Sequence, residues 1–215
     1  KTDGLGLHVQ QGGTFVGGSG THTMGSLGVD NNAAAKFTNT SDVNTLNGHS
    51  NDSTRVIIGG ANSTCVAAGT ITITYAGGAY NLQSGNAAMI NNLTLNSNVT
   101  ANLSAATSIT GNLTISQGTL TTTGSNYALT VTGGVSGAGT LTTNASAISF
   151  GYLIMSGTYN ATTDSAGTIL TSRSGPGAQL LMNAADIVHN NGYFVFKGAA
   201  GGTSYIGLNG VSDAT

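Results

Sequence analysis

The chain has very little charge. Only 6% of its 215 residues are charged, with five Lys and Arg against seven acids, and all seven acids are Asp. Ordinary globular domains are about 25% charged. Glu and Lys favour helices, whereas the abundant Thr, Val and Ile favour strands, so we expect an all-β fold with essentially no helix. No run of bases supplies the positive surface that nucleic-acid binding requires.

Cysteine, proline and long apolar runs are also scarce. The single cysteine, Cys65, cannot form an intrachain disulfide, and we interpret it as a small buried hydrophobe. No apolar stretch approaches the roughly 18–20 residues of a membrane helix, so we predict no membrane insertion. The chain opens at Lys1 without a recognisable signal peptide, and we expect it to be an internal piece of a longer protein.

What the chain has instead is a repeat of about twenty residues. Four consecutive stretches, 92–111, 112–133, 134–151 and 152–172, each contain three short apolar-polar alternations separated by Gly, Asn or Ser. This period predicts a parallel β-solenoid (β-helix) with about three short strands per coil of about 20 residues, right-handed as parallel crossovers prefer. We expect irregular N-terminal coils over 1–91, a regular core over 92–172, and C-terminal coils over 173–215 that continue into a longer parent chain.

The repeat also predicts which side chains face inward and which form the corners. The predicted inward residues are Leu93, Leu113, Ile115, Leu120, Leu129, Val131, Leu141, Phe150 and Leu153. Asn92 and Asn112 lie one repeat apart and are candidates for a ladder of side-chain amides at one corner. The rival fold is a β-sandwich, whose hairpins would form near the chain ends at Asn47-Gly48, Asn191-Gly192 and Asn209-Gly210.

Two pairs of carboxylates are candidates for glycosidase chemistry, which needs two acids about 5–10 Å apart. They are Asp42 with Asp52 and Asp164 with Asp186. Each of these Asp residues also fits an Asx-turn, and we favour that interpretation. We therefore predict no enzymatic activity and no catalytic residue.

The remaining candidate residues are histidines, tyrosines and threonines. His8 and His22 could meet across one coil and bind a metal, but no acid or Cys has ligand spacing, so we predict no metal or cofactor. A carbohydrate-binding module would stack sugars on Tyr75, Tyr80, Tyr127, Tyr152 and Tyr159. An ice-binding array would need Thr-x-Thr pairs in the same slot of every coil. The pairs found are Thr21/Thr23, Thr70/Thr72/Thr74, Thr121/Thr123 and Thr130/Thr132, which we interpret as outward β-formers.

Several strings resemble repeats of known extracellular proteins. Gly-Asn-Leu-Thr-Ile-Ser-Gln-Gly-Thr-Leu at 111–120 and Ala-Leu-Thr-Val-Thr-Gly at 128–133 are similar to repeats of autotransporter-type passengers, haemagglutinin-like adhesins and phage fibre proteins. His189-Asn190-Asn191-Gly192, followed by Phe194-Val195-Phe196, resembles a repeat of very long phage and bacterial surface proteins. The resemblance covers about residues 85–200 and carries over no catalytic residue.

This resemblance implies a structural or adhesive segment of an extracellular fibre, on a virion or a bacterial surface. Its expected partners are other copies or further segments of the same fibre, arranged as a homotrimer, and a cell-surface glycan. We favour the virion fibre or decoration protein. The alternatives are a bacterial adhesin passenger, a tailspike-like polysaccharide depolymerase and a carbohydrate-binding module.

Overall fold

The computed structural model describes residues 6–10, 12–29, 34–39, 43–47, 55–59, 64–83, 90–161, 168–171, 178–183, 187–189, 194–197 and 205–209. These ranges contain strands and no helix, as the composition predicts. The strands are β1 (Leu7–Val9), β2 (Thr14–Val16), β3 (His22–Met24), β4 (Leu27–Val29), β5 (Lys36–Asn39), β6 (Val43–Leu46), β7 (Arg55–Gly59), β8 (Thr64–Ile73), β9 (Tyr80–Gln83), β10 (Ile90–Leu103), β11 (Thr107–Ile109), β12 (Leu113–Thr121), β13 (Leu129–Gly137), β14 (Thr140–Thr142), β15 (Ile148–Met155), β16 (Tyr159–Ala161), β17 (Thr168–Leu170), β18 (Ala178–Asn183), β19 (Ile187–His189), β20 (Phe194–Phe196) and β21 (Tyr205–Asn209).

The strands stack into three parallel rows, which form the sides of a β-solenoid with successive turns about 21 residues apart. Row A contains β1, β4, β7, β9, the ends of β10 and β12, β14, β16 and β19. Row B contains β2, β5, the starts of β8 and β10, β11, the starts of β13 and β15, β17 and β20. Row C contains β3, β6, the end of β8, the middle of β10, the start of β12, the ends of β13 and β15, β18 and β21.

The predicted parallel solenoid is therefore confirmed. The rival β-sandwich is not formed, because the strands that flank Asn47-Gly48 and Asn191-Gly192, namely β6 with β7 and β19 with β20, belong to different parallel rows. Gly48, Asn191 and Gly192 themselves lie outside the described residues. The third dipeptide begins at the last residue of β21, and Gly210 lies outside the described residues.

Some strands are longer than the short segments expected from the sequence. The longest, β10, has 14 residues and passes through all three rows. The register shifts within β10 mark the corners, where the backbone turns from one side of the solenoid to the next while remaining paired with the neighbouring coil. A change of row therefore need not end a strand.

The core is a set of apolar columns that run along the solenoid axis. All of the predicted inward residues are buried, with exposures of 0 or 1%. In row C, Leu93 aligns with Leu113, which aligns with Val135, which aligns with Leu153. Full burial of one such side chain is worth about 1.5–3 kcal/mol. The core is therefore continuous along the stack.

Two corners require glycine because the coils lie so close together. Gly118 has φ of 74°, and a Cβ there would lie 2.2 Å from the carbonyl oxygen of Ser97. Gly137 has φ of 120°, and its Cβ would lie 2.1 Å from the carbonyl oxygen of Ile115. Only glycine adopts these conformations without strain and also leaves room for the backbone of the preceding coil.

Candidate functional surface

The outer surface of row C carries a column of hydroxyl groups. Thr23, Thr45, Thr72, Thr94, Thr114 and Ser136 occupy one register line from the first coil onward. The last two side chains hydrogen-bond to each other, with 3.4 Å between their hydroxyl oxygens. The neighbouring column is mixed, because Val43, Thr70, Asn92 and Asn112 align there. The Thr70/Thr72 pair is therefore not repeated on the adjacent coils of this row.

Row A carries a better-ordered pair of columns, which the sequence repeat did not predict. Thr119 and Thr121 align with Thr140 and Thr142, and Thr100 and Asn102 precede them on the coil before. All of these side chains are partly exposed. The sequence does contain the signal, because Gly-Thr-Leu-Thr occurs at both 118–121 and 139–142.

These two columns form a regular, uncharged lattice of hydrogen-bonding groups. Neighbouring groups are spaced about 4.8 Å between coils and about 7 Å along a strand. Of the Thr121/Thr123 pair suggested from the sequence, only Thr121 lies on this lattice, because Thr123 has φ of 61° and belongs to the following corner. Row A can therefore offer neutral donors and acceptors at regular spacing.

The corner between rows B and C contains the predicted Asn92 and Asn112. The structure places them on adjacent coils, but their side chains bond to backbone rather than to each other. The backbone N–H of Asn112 donates to Asn92 Oδ1 at 2.9 Å, and the N–H of Gly134 donates to Asn112 Oδ1 at 2.9 Å. The candidate amide ladder is therefore not formed by these two oxygens, because each Oδ1 instead accepts from an N–H that the corner leaves without a strand partner.

The outer surface of row C changes character after this corner. Tyr152 lies over Gly134, where a Cβ would be 1.9 Å from the Tyr152 ring, and its hydroxyl donates to Asn112 Oδ1 at 3.3 Å. Beyond it, Ile154 and Leu181 continue the register line that Thr and Ser occupy on earlier coils. Both are partly exposed. One side of the solenoid is thus polar along its first coils and apolar along its later ones.

The tyrosines proposed as sugar platforms are mainly structural. Tyr80 and Tyr159 are buried, with exposures of 1% and 0%, so stacking on a sugar is excluded for these two. Tyr75 is partly buried and packs edge-on against Tyr80, with ring centroids 5.9 Å apart. Tyr127 also packs against the core as a partly buried residue. The carbohydrate-binding alternative therefore loses Tyr80 and Tyr159, because their rings occupy inward positions.

The buried tyrosine hydroxyls are satisfied inside the solenoid. Tyr159 bonds to Thr143 at 3.3 Å and also to Thr168, and Tyr80 lies 3.5 Å from the Ser97 hydroxyl. Burial raises the pKa of both phenols above the usual value of 10.0, because the apolar surroundings disfavour the phenolate. Both rings are therefore neutral polar links within the core.

The structure places His8 and His22 on different rows. His8 is exposed on row A, and its ring lies over Gly28. His22 is partly buried on row C, where it packs edge-on against Phe15 at 6.2 Å, and its Nε2 lies 3.1 Å from the carbonyl oxygen of Gly17. The two side chains therefore do not share a site.

The candidate acids Asp42, Asp52, Asp164 and Asp186 lie outside the described residues. The backbone of Cys65 lies in β8 beside Phe37. Among the side chains that the structure describes, Lys36 and Lys197 are the charged ones, and both are exposed. No helix in the described ranges is long and apolar enough to cross a membrane.

Comparison with known proteins identifies no relative of this chain. No protein-family model, no curated protein and no solved structure matches the chain. What the fold defines is a parallel β-solenoid, a repeat architecture suited to a structural or adhesive protein.

Proposed function

We propose that this chain is a structural segment of an extracellular fibre, carried on the surface of a virion. The observation that supports the proposal most strongly is the continuity of the three rows, in which each described strand pairs in parallel with strands of the neighbouring coil. Such a stack forms a rod whose stiffness comes from backbone hydrogen bonds that run along its whole length.

The chemistry of the outer sides supports the same role. The lattice on row A and the Thr column on row C expose hydroxyl and amide groups without charge. Neutral hydrogen-bonding groups keep a β surface hydrated, and they are independent of pH and little affected by salt. A rod of this kind suits a protein that is assembled once and then persists outside a cell.

We propose that the segment works together with other copies or further segments of the same fibre and has no enzymatic activity of its own. To test this, the purified chain is incubated with bacterial capsular polysaccharides and exopolysaccharides, and the release of reducing ends is measured. We expect none. Turnover that is abolished by Asp42→Asn or Asp164→Asn would replace the structural role with a depolymerase.

The fibre role itself is tested by locating the protein. Antibodies raised against the purified chain are applied to the virions and cells of its source and detected by immunogold electron microscopy. We expect label along fibres that project from virions. Label on filaments of the bacterial envelope would favour the adhesin passenger, and the absence of label from any external structure would overturn the proposal.

A further inference from the structure

The lattice on row A continues onto the coil after Thr140 and Thr142. Thr142 aligns with Asn160 in β16. Thr158 lies opposite Thr140, because the backbone N–H of Leu141 donates to the Thr158 carbonyl oxygen at 2.9 Å. The first column of the lattice is therefore threonine on four consecutive coils, at Thr100, Thr119, Thr140 and Thr158. The second column contains Asn102, Thr121, Thr142 and Asn160.

The backbone that carries this lattice keeps a single register. No register shift occurs from Thr100 to Asn102 or along the row A strands that follow them. The residues between the two columns point inward and have exposures of 0 or 1%; they are Ala101, Leu120, Leu141 and Tyr159. Packing in the core therefore holds the lattice in place from below.

Threonine suits a rigid surface array better than serine does. Its branched Cβ restricts χ1, so the hydroxyl loses less conformational freedom when it binds a ligand. Serine occurs on the outward lines of the other two rows, at Ser136 on row C and at Ser108 and Ser149 on row B, but at no position of the lattice. At Thr121 the hydroxyl oxygen also accepts from the backbone N–H of Thr123 at 3.2 Å, which fixes it further.

The groups on the lattice restrict the chemistry of its ligand. None of the lattice residues, all of which the structure describes, is charged or aromatic. A charged ligand would find no complementary charge there, and a sugar ring would find no aromatic face. Hydroxyl and amide groups both donate and accept hydrogen bonds. The complementary ligand is a neutral solid whose own donors and acceptors repeat regularly. Ice is such a solid, because every water molecule in it both donates and accepts.

We propose that the lattice on row A is an ice-binding surface. An ice-binding array needs polar pairs in the same slot of successive coils, and row A has them. Thr119/Thr121 and Thr140/Thr142 are Thr-x-Thr pairs on adjacent coils, and asparagine replaces the second threonine on the coils before and after them. The groups repeat about every 4.8 Å between coils and about every 7 Å along a strand, so the surface contacts ice in two directions at once.

The lattice is most complete at its centre. At its far end, the Oδ1 atom of Asn160 is buried, so this residue contributes less than Asn102. Variants are therefore best placed on the two central coils. The proposed ice binding goes beyond the fibre role and does not depend on it.

The test measures ice binding by the purified chain in two ways. Thermal hysteresis is the gap between the melting and freezing temperatures of a single ice crystal, and ice capture is the share of protein that a slowly growing ice surface takes up. We expect the unaltered chain to show both. Thr119→Tyr and Thr140→Tyr each place a large ring at the centre of the lattice, on a residue type that strands accept. We expect each of them to lose both signals.

Thr114→Tyr and Thr130→Tyr are the matched controls. Thr114 lies in β12 on the outward side of row C, and Thr130 lies in β13 on the outward side of row B. We expect both variants to bind ice like the unaltered chain. Circular dichroism and urea unfolding check that every variant is folded, and Thr140→Lys replaces a tyrosine variant that is not.

Three results would overturn the proposal. They are an unaltered chain with neither hysteresis nor ice capture, ice capture that survives in both Thr119→Tyr and Thr140→Tyr, and ice capture that is lost in the two controls. Suspensions of cellulose and chitin test the alternative ligand. Binding to either one that Thr119→Tyr abolishes, without capture by ice, would assign the lattice to a neutral polysaccharide instead. None of these results bears on antibody labelling of external fibres, so ice binding and the fibre role can fail separately.

Discussion

Asn112 at the corner between rows B and C is a sensitive point of the stack. Its Oδ1 accepts hydrogen bonds from the backbone N–H of Gly134 at 2.9 Å and from the hydroxyl of Tyr152 at 3.3 Å. Gly134 is buried, and the Tyr152 ring lies over it. Asn112 itself is exposed, and its hydrogen bond with Gly134 is partly buried. The change Asn112→Ala therefore leaves the N–H of Gly134, a buried residue, without its side-chain acceptor.

The expected cost of Asn112→Ala follows from that buried donor. A buried polar group that loses its partner costs about 1–3 kcal/mol. The Tyr152 hydroxyl adds little, because its contact with Asn112 lies on the exposed side and the hydroxyl can turn to solvent. We therefore expect a loss of about 1–3 kcal/mol in the free energy of unfolding. Asn112→Asp keeps an acceptor oxygen for both donors and should retain most of this stability at neutral pH.

The assay is urea unfolding followed by circular dichroism, with the midpoint compared at constant slope. Asn96→Ala is the control, because Asn96 Oδ1 accepts only from Gln117 Nε2 at 3.2 Å and both side chains are exposed. We expect that change to stay within about 0.5 kcal/mol. Equal midpoints for Asn112→Ala and Asn96→Ala, or for Asn112→Ala and Asn112→Asp, would refute the reasoning.

Three further predictions address the core, a corner and the buried phenols. Leu113→Ala removes a fully buried side chain and should cost about 2–5 kcal/mol in unfolding free energy; an unchanged urea midpoint would contradict its position in the column. Gly137→Ala forces a Cβ to within 2.1 Å of the carbonyl oxygen of Ile115 at a φ of 120°. We therefore expect a destabilisation of at least about 1–3 kcal/mol. An unchanged thermal unfolding temperature would contradict the position of this corner. Burial raises the folded-state pKa of Tyr80 and Tyr159, so the unfolded chain loses protons first and stability should fall as the pH rises above about 10. Unfolding free energies measured from pH 8 to 11 that stay level would contradict this.

The sequence was sufficient for the fold because the repeat has a simple physical cause. Residues that recur once per turn, such as Leu93 and Leu113, align in one column, and only an apolar side chain suits that column on every coil. The corners were harder to predict. The position of Asn112 followed from the period, but the choice between a side-chain and a backbone partner depends on where the corner leaves an N–H unpaired.

The outer surface was predicted less well than the core. The lattice on row A depends on the alignment of Thr119 with Thr140. This alignment was not predicted, because the sequence repeats were taken to start at Asn112 and Gly134. Tyr80 and Tyr159 suggest surface platforms as isolated residues, yet each occupies an inward slot. The type of one residue alone does not show whether its side chain faces inward or outward when small polar and small apolar residues are both frequent.

The stacking of the rows is tested most directly by distances along one register line. Thr23, Ser136 and Ile154 lie on the outward register line of row C. Each residue of this line is one coil from the next, so several coils separate Thr23 from Ser136. Nitroxide labels are placed on the pairs Thr23→Cys with Ser136→Cys and Thr23→Cys with Ile154→Cys, with Cys65 replaced by Ser. Double electron–electron resonance then measures both separations. The stacked solenoid predicts about 24 Å and about 29 Å, because each coil adds about 4.8 Å. A second distance equal to or shorter than the first, as in a sheet that folds back on itself, would contradict it.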